Sequence, residues 1–161
     1  DRDKIKEAVF VPTSRYVDVI RCFYQNSPGM DAPNLVFVAT DDYAAVDAVQ
    51  KDLGPGFKVV TSAKPADKGF SISAYRDKSE DMRKSKFTKA VRLWADLEIL
   101  SDAEVFVGNL QSNVARTVHL MRLGKPVNTT LTVPLSRRTT KSCCATNEGS
   151  SLIMNCFWLC A

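Results

Sequence analysis

Residues 94–116, WADLEILSDAEVFVGNLQSNVAR, decide the fold that this sequence predicts. The stretch opens with apolar residues at helical spacing, which two polar residues then interrupt. The short apolar run 104–108 follows, and turn residues bound it on both sides, which is typical of a buried parallel strand. Ser112 is a preferred N-cap for a helix that runs to about Arg122. The stretch therefore predicts helix, strand, turn and helix in succession.

A strand that leads through a turn into a helix N-terminus forms an anion site. The first N–H groups of the helix and the helix dipole both point beyond the end of the strand. If the protein binds a nucleotide diphosphate, we expect the phosphate at Ser112 and Asn113. Ser112 caps the helix on either interpretation, so phosphate binding would be an added role.

The same alternation of strand and helix occurs upstream. The apolar run 35–39 predicts a strand that ends near Asp41 and Asp42, and residues 57–61 predict the next strand, with a helix over 43–53 between them. This alternation predicts a doubly wound parallel sheet, in which ligands bind beyond the carboxyl ends of the strands. The two aspartates are therefore expected on the same rim as the turn before Ser112's helix. A simple N-cap pair is an equally direct interpretation of them.

Two further helices complete the predicted domain. A cap at Ser14 predicts a helix over 15–25, and a second helix is expected over about 85–100, with Trp94 packed in the core. Residues 62–83, between the strand predicted over 57–61 and the second helix, are polar and lack a sustained hydrophobic period. A segment of that length is either a functional loop or disordered.

Composition sets limits on the class of protein. The chain has 161 residues, 45% hydrophobic and 25% charged, which is enough for one core. Its net charge of +4 comes from cations mixed with acidic residues, so no nucleic-acid partner is expected. Five cysteines and one histidine lack metal-ligand spacing, and no apolar run reaches the ~20 residues that a membrane helix needs. We divide the chain into a domain, residues 1–122, and an irregular tail of low order, residues 123–161.

Several segments, taken in order, resemble the donor-binding half of the α-1,6-fucosyltransferases, glycosyltransferase family 23. The similar segments are LVFVATDD at 35–42, DLEILS at 96–101 and SNVAR at 112–116. The start of the chain, residues 3–16, is similar to the stretch that follows the His-x-Arg-Arg motif of that family. The likeness runs from Asp3 to about Arg122 and rests on the order and spacing of these segments.

The resemblance implies a fold and an activity. The fold would be a Rossmann-like doubly wound parallel sheet, as part of a two-domain glycosyltransferase. The activity would be the inverting transfer of L-fucose from GDP-β-L-fucose to the core N-acetylglucosamine of an N-glycan, in α-1,6 linkage, without a metal or other cofactor. The resemblance further implies a location in the Golgi lumen, a full-length protein anchored by a single membrane span, and compatibility with a homodimer.

The resemblance also implies roles for individual residues. Glu7 would be the general base on the acceptor 6-hydroxyl, Lys4 its charge partner, and Asp3 a member of the same catalytic group. A carboxylate beside a lysine can be tuned for such a role. The donor-binding residues implied are Tyr16 on the donor side, Asp41 and Asp42 supporting the site, Asp96 on the guanine N1–H and 2-amino group, and Ser112 and Asn113 on the β-phosphate.

Two alternatives stay open beside the enzyme. Asp1 stands where the family has its diphosphate-clamping arginine, which favours a catalytically incomplete nucleotide-sugar-binding domain or fragment. An unrelated nucleotide-dependent domain is less favoured, because the chain has neither a G-x-G-x-x-G nor a Walker motif. Asp96 also has a simpler interpretation, since a carboxylate on an amphipathic helix usually lies on the solvated face.

Overall fold

The computed structural model describes residues 11–25, 34–69, 76–124, 131–134 and 155–158, the last two segments as backbone. Asp3, Lys4 and Glu7, the predicted catalytic group, lie outside these ranges. The helices are α1 (Thr13–Gln25), α2 (Tyr43–Leu53), α3 (Glu80–Asp102) and α4 (Asn113–Leu123). The strands are β1 (Leu35–Ala39), β2 (Lys58–Val60), β3 (Val105–Gly108), β4 (Leu131–Pro134) and β5 (Asn155–Trp158).

The five strands form one sheet in the order β2-β1-β5-β3-β4, and every neighbouring pair is parallel. The α/β class and the parallel sheet that the sequence predicts are therefore confirmed. β4 and β5 both come from residues 123–161, where an irregular tail was expected. β5 pairs with β1 on one side and β3 on the other, so the sheet draws a central strand from the end of the chain.

Helices cover both faces of the sheet, because successive residues of a strand point to opposite sides. Val36 and Val38 of β1 join the core cluster that contains the buried residues of α1 and α2. Phe37 and Ala39 join the second cluster, with the buried residues of α3 and α4. Burial on both faces explains why β1 reads as a continuous apolar run.

Local capping signals set the helix ends. Asp42 caps α2 by accepting a hydrogen bond from the N–H of Ala44 at 3.1 Å, and Gly54 ends that helix with a φ of 83°. Both were expected. α3 begins at Glu80 rather than near residue 85, because Ser79 caps it by accepting from the N–H of Met82. The cap predicted at Ser14 is wrong, since α1 already begins at Thr13.

The core position predicted for Trp94 is also wrong, because its side chain is 63% exposed. The reason is a mismatch of lengths. α3 has 23 residues and is about 34 Å long, whereas the neighbouring β3 has four residues and spans about 13 Å. Leu97 and Leu100 in the second half of α3 pack on the sheet. The buried residues of α3 begin at Asp96, so Trp94 lies before the part of the helix that packs on the sheet.

Arg122 fixes the ends of α3 and α4 against each other. Its side chain is 2% exposed and donates to the backbone carbonyls of Leu100 at 3.1 Å, Glu104 at 3.0 Å and Ala103. Carbonyls at a helix C-terminus lack partners within the helix, so a cation there is favourable. This contact sets the positions of α3 and α4 on their shared face of the sheet.

Gly108 allows the close approach of β3 to α4. A Cβ atom at this position would lie 2.6 Å from Cζ of Phe106 and 3.2 Å from Cβ of Ala115. We expect Gly108→Ala to lower the free energy of unfolding by about 1–3 kcal/mol, the usual cost of overpacking. Urea denaturation measures this change. The matched control is Gly56→Ala, where a Cβ meets nothing within 4 Å; an equal loss in both variants would contradict the packing account.

Candidate functional site

The carboxyl ends of β1, β2 and β3 lie on one edge of the sheet, because the strands are parallel. Asp41 and Asp42 follow β1, Ser62 follows β2, and Asn109 follows β3. This edge is where an open α/β sheet binds ligands. The residues that follow the strands there form the candidate site.

Residues 61–69, which we call the rim segment, follow β2 along this edge. A turn shapes the segment: the N–H of Asp67 donates to the carbonyl of Lys64 at 2.8 Å, with Pro65 at the second position, where its fixed φ is favourable. The carboxylate of Asp67 accepts in return from the N–H of Lys64 at 2.8 Å. The turn is therefore held by its own backbone and by one side chain.

The rim segment is hydrogen-bonded to the end of β1 and the start of α2. The N–H of Tyr43 donates to the carbonyl of Asp67 at 3.0 Å, and the N–H of Gly69 donates to the carbonyl of Asp41 at 2.8 Å. Asp42 and Lys68 form an isolated antiparallel bridge between these pairs. Asp41 and Asp42 are half-buried at this junction. The rim segment thus lies across the carboxyl edge of the sheet.

An ion pair joins the rim segment to α3. Arg92 donates to Oδ2 of Asp67 at 2.6 Å, and both side chains are mostly buried. Burial of Asp67 raises its pKa, but hydrogen bonds from Arg92 and the N–H of Lys64, together with the nearby positive charge, outweigh burial and hold the pKa below its ordinary value. The folded protein therefore favours the ionised Asp67 and keeps the pair intact at neutral pH.

Asp96 of α3 lies beside the rim segment and is 3% exposed. The solvated position that was expected for a carboxylate on an amphipathic helix is therefore wrong. Its Oδ2 accepts from the hydroxyl of Ser62 at 2.9 Å. Its Oδ1 is buried and has no hydrogen-bond donor in the described part of the chain. Burial raises the pKa of Asp96, and the hydrogen bond from Ser62 and the charge of Arg92 only partly oppose that effect. A buried carboxylate oxygen without a donor is uncommon and asks for a physical reason.

The turn from β3 into α4 is built on Asn109. Its carbonyl accepts from the N–H of Ser112 at 2.8 Å, and its side-chain oxygen accepts from the N–H of Gln111 at 3.1 Å. Ser112 occupies the N-cap position as expected, but its buried hydroxyl makes no capping hydrogen bond. Asn113 is exposed, and its side-chain oxygen accepts from Arg116. The turn presents a helix N-terminus at the carboxyl edge.

The candidate residues divide into three groups. Asp41, Asp42, Ser112 and Asn113 follow strand ends on the same edge, and Asp96 is tied to that edge through Ser62. β5 lies between β1 and β3, so the ends of those two strands are about 10 Å apart. Tyr16 is 1% exposed within the core cluster of α1 and α2, which also contains Ala63 of the rim segment. Asp3, Lys4 and Glu7 fall outside the described ranges.

Sequence reasoning missed Ser62, Asp67 and Arg92, the residues that hold the rim segment against α3. Pro65 with Asp67 is a turn signal and could have located the turn within the long polar stretch. Nothing local indicates that this turn meets a helix 25 residues later in the chain. The contacts depend on how β2 and α3 pack.

Within ranges 11–25, 34–69 and 76–124, no three histidine, cysteine, aspartate or glutamate side chains are grouped so that they could hold a metal ion. The described helices include none that is long and apolar enough to cross a bilayer. Comparison of the chain with family models, with characterised proteins and with solved structures finds no match.

Asp96→Asn is expected to stabilise the protein at neutral pH by about 1 kcal/mol, because the amide keeps an oxygen for Ser62 and removes a buried charge. The raised pKa of Asp96 means that the folded protein binds its proton more tightly than the unfolded chain does. Its contribution to stability is full below the ordinary pKa of 3.8 and is lost as pH rises toward the folded-state pKa.

The free energy of unfolding of Asp96→Asn is therefore expected to exceed that of the wild type by an amount that grows with pH across that window. Urea denaturation at a series of pH values measures it, with Asp47→Asn, an exposed position on α2, as the control. A loss of stability in Asp96→Asn at neutral pH would show that ionised Asp96 is a net stabilising partner and would contradict the account.

Proposed function

We propose that this chain is the donor-binding domain of an α-1,6-fucosyltransferase-like glycosyltransferase, and that it binds GDP-β-L-fucose at the carboxyl edge of its sheet. The Rossmann-like doubly wound class is part of the proposal. Parallel pairing throughout the sheet and helices on both faces support it. The bound donor would be attacked by the core N-acetylglucosamine of an N-glycan.

The observation that carries the proposal is the buried Oδ1 of Asp96, which has no donor in the described residues, beside an Oδ2 that Ser62 holds. Guanine presents two parallel donors, its N1–H and its 2-amino group, and an ionised carboxylate accepts both. Adenine presents a donor beside an acceptor nitrogen, which a carboxylate repels. A site built to accept two hydrogen bonds rejects a base that lacks them.

Guanine binding requires a local displacement, because Oδ1 is covered in the free protein. The rim segment is held to Asp96 by one hydrogen bond, which the hydroxyl of Ser62 donates to Oδ2. The Arg92–Asp67 ion pair anchors the segment farther along. Two hydrogen bonds from the base would replace the one from Ser62 and so offset the free-energy cost of moving the segment.

The phosphates would be held at the N-terminus of α4. The N–H groups of the first turn and the helix dipole favour an anion there. The hydroxyl of Ser112 does not cap the helix and is placed at that turn. As charge develops on the departing diphosphate, fixed donors of this kind stabilise the transition state. No metal is required by this arrangement.

The luminal location belongs to the same proposal. Cys22 of α1 is disulfide-bonded. Disulfides persist in oxidising compartments such as the secretory lumen and are rare in the cytosol. This observation supports the Golgi lumen as the working compartment of the full-length protein.

Calorimetric titration with GDP, IDP and ADP tests the guanine contact. IDP lacks the 2-amino group, and we expect it to bind about tenfold more weakly than GDP, the usual effect of one charged hydrogen bond. ADP is expected to bind at least as weakly as IDP. Asp96→Asn should lower the affinity for GDP by about 10–100-fold, so that the three nucleotides bind with nearly equal affinity. Equal affinity of the wild type for GDP and ADP would end the proposal.

A transfer assay separates the enzyme from a binding-only domain, which the aspartate at position 1 favours. GDP release from GDP-fucose, stimulated by an N-glycan acceptor, is the measured quantity. Glu7→Gln should lower the rate by about 10²–10⁴-fold, the usual contribution of a general base, and keep the affinity for GDP. If the wild type binds GDP and transfers no fucose, the catalytically incomplete alternative is correct.

A further inference from the structure

Asp67 attaches the rim segment to the rest of the protein on two sides. Its backbone carbonyl accepts from the N–H of Tyr43, at the start of α2, at 3.0 Å. Its carboxylate accepts from Arg92 of α3 at 2.6 Å. One residue therefore carries both attachments, so a displacement of the segment that moves Asp67 breaks both of them.

Arg92 contacts the start of the rim segment as well. The Nη1 that binds the carboxylate of Asp67 also lies 3.5 Å from the carbonyl oxygen of Ser62. Ser62 in turn donates its hydroxyl to Asp96, which lies one helical turn after Arg92 on α3. The side chain of Arg92 thus bridges the residue that contacts Asp96 and the residue that contacts α2.

The ion pair is the strongest of these attachments, because both of its partners are charged. The side chains of Arg92 and Asp67 are 19% and 12% exposed, so water and salt screen the pair much less than a surface pair. Lys89, one turn earlier on α3, adds a weaker attraction to the same carboxylate. By contrast, the hydroxyl of Ser62 is a neutral donor, and Ala63 adds only one methyl group to the core.

These contacts oppose the displacement that guanine binding requires. The base would replace the hydroxyl of Ser62 at the carboxylate of Asp96, and Ser62 cannot leave while Arg92 and Asp67 keep the segment in place. We propose that Arg92 and Asp67 are positioning residues, whose ion pair keeps the rim segment against Asp96 and thereby controls entry of the base. This inference rests on the proposed guanine contact.

The ion pair sets the affinity through the fraction of molecules whose rim segment is displaced. A ligand that binds only the displaced form has an apparent affinity reduced by that fraction. A nucleotide held by its phosphates alone, at the N-terminus of α4, needs no displacement. Weakening the ion pair should therefore raise the affinity for GDP and leave the affinity for ADP unchanged.

Asp67→Asn removes one charge of the pair at constant size and keeps a side-chain oxygen for the N–H of Lys64. Hydrogen exchange of the Tyr43 amide, followed by NMR without nucleotide, measures how often the segment is displaced. We expect the exchange to be about tenfold faster in Asp67→Asn, the usual effect of losing a charged hydrogen bond. The amide of Val49, inside α2, should keep its rate, because the helix stays folded.

Calorimetric titration of the same proteins with GDP and ADP completes the test. The affinity of Asp67→Asn for GDP should rise by the same factor as the exchange rate of the Tyr43 amide, about tenfold, since both follow the displaced fraction. Asp47→Asn, an exposed change on α2, is the matched control and should alter neither quantity. In an Arg92→Gln background, Asp67→Asn should cause no further change in exchange, because the pair is already broken.

Each contrary result has a separate meaning. Unchanged exchange of the Tyr43 amide in Asp67→Asn would overturn the proposal, as would faster exchange without a gain in GDP affinity. An equal gain for ADP would also overturn it, because the effect would then come from the lost negative charge and not from the segment. If neither the wild type nor any variant binds GDP, the proposed function itself fails, and the inference fails with it.

Discussion

The hydrogen bond from Ser62 to the buried carboxylate of Asp96 joins two parts of the protein that are distant in the chain. Ser62 lies two residues after the end of β2, and Asp96 belongs to the helix that leads to β3. Burial of the carboxylate disfavours its charge, and one hydroxyl compensates that cost only in part. Carboxylates with perturbed pKa values are concentrated at functional sites, which is why the guanine contact is proposed here.

Two cations hold this arrangement in place, each by a different means. Arg92 binds the carboxylate of Asp67 and keeps the rim segment against α3. Arg122 binds the carbonyls at the end of α3 and keeps that helix beside α4. The carboxylate of Asp96 and the N-terminal end of α4 are therefore fixed relative to each other by two guanidinium groups, whose planar forks suit several acceptors at once.

The elements that the sequence predicts correctly have signals within themselves. β1 and α2 have the predicted bounds, because an apolar run, an aspartate cap and Gly54 mark them locally. The missed features depend on packing between distant segments. The exposure of Trp94 follows from the lengths of α3 and β3, the burial of Asp96 follows from the path of the rim segment, and the central place of β5 follows from pairing with strands far upstream.

NMR titration of the side-chain carboxyl of Asp96, with and without saturating GDP, tests the guanine contact most directly. In the free protein the account predicts a pKa above the ordinary 3.8. With GDP bound, two donors on the ionised carboxylate should lower that pKa, since hydrogen bonds to the charged form favour it. A pKa of Asp96 that stays raised and unchanged while GDP is bound would show that the nucleotide base does not contact this carboxylate, and the account would be wrong.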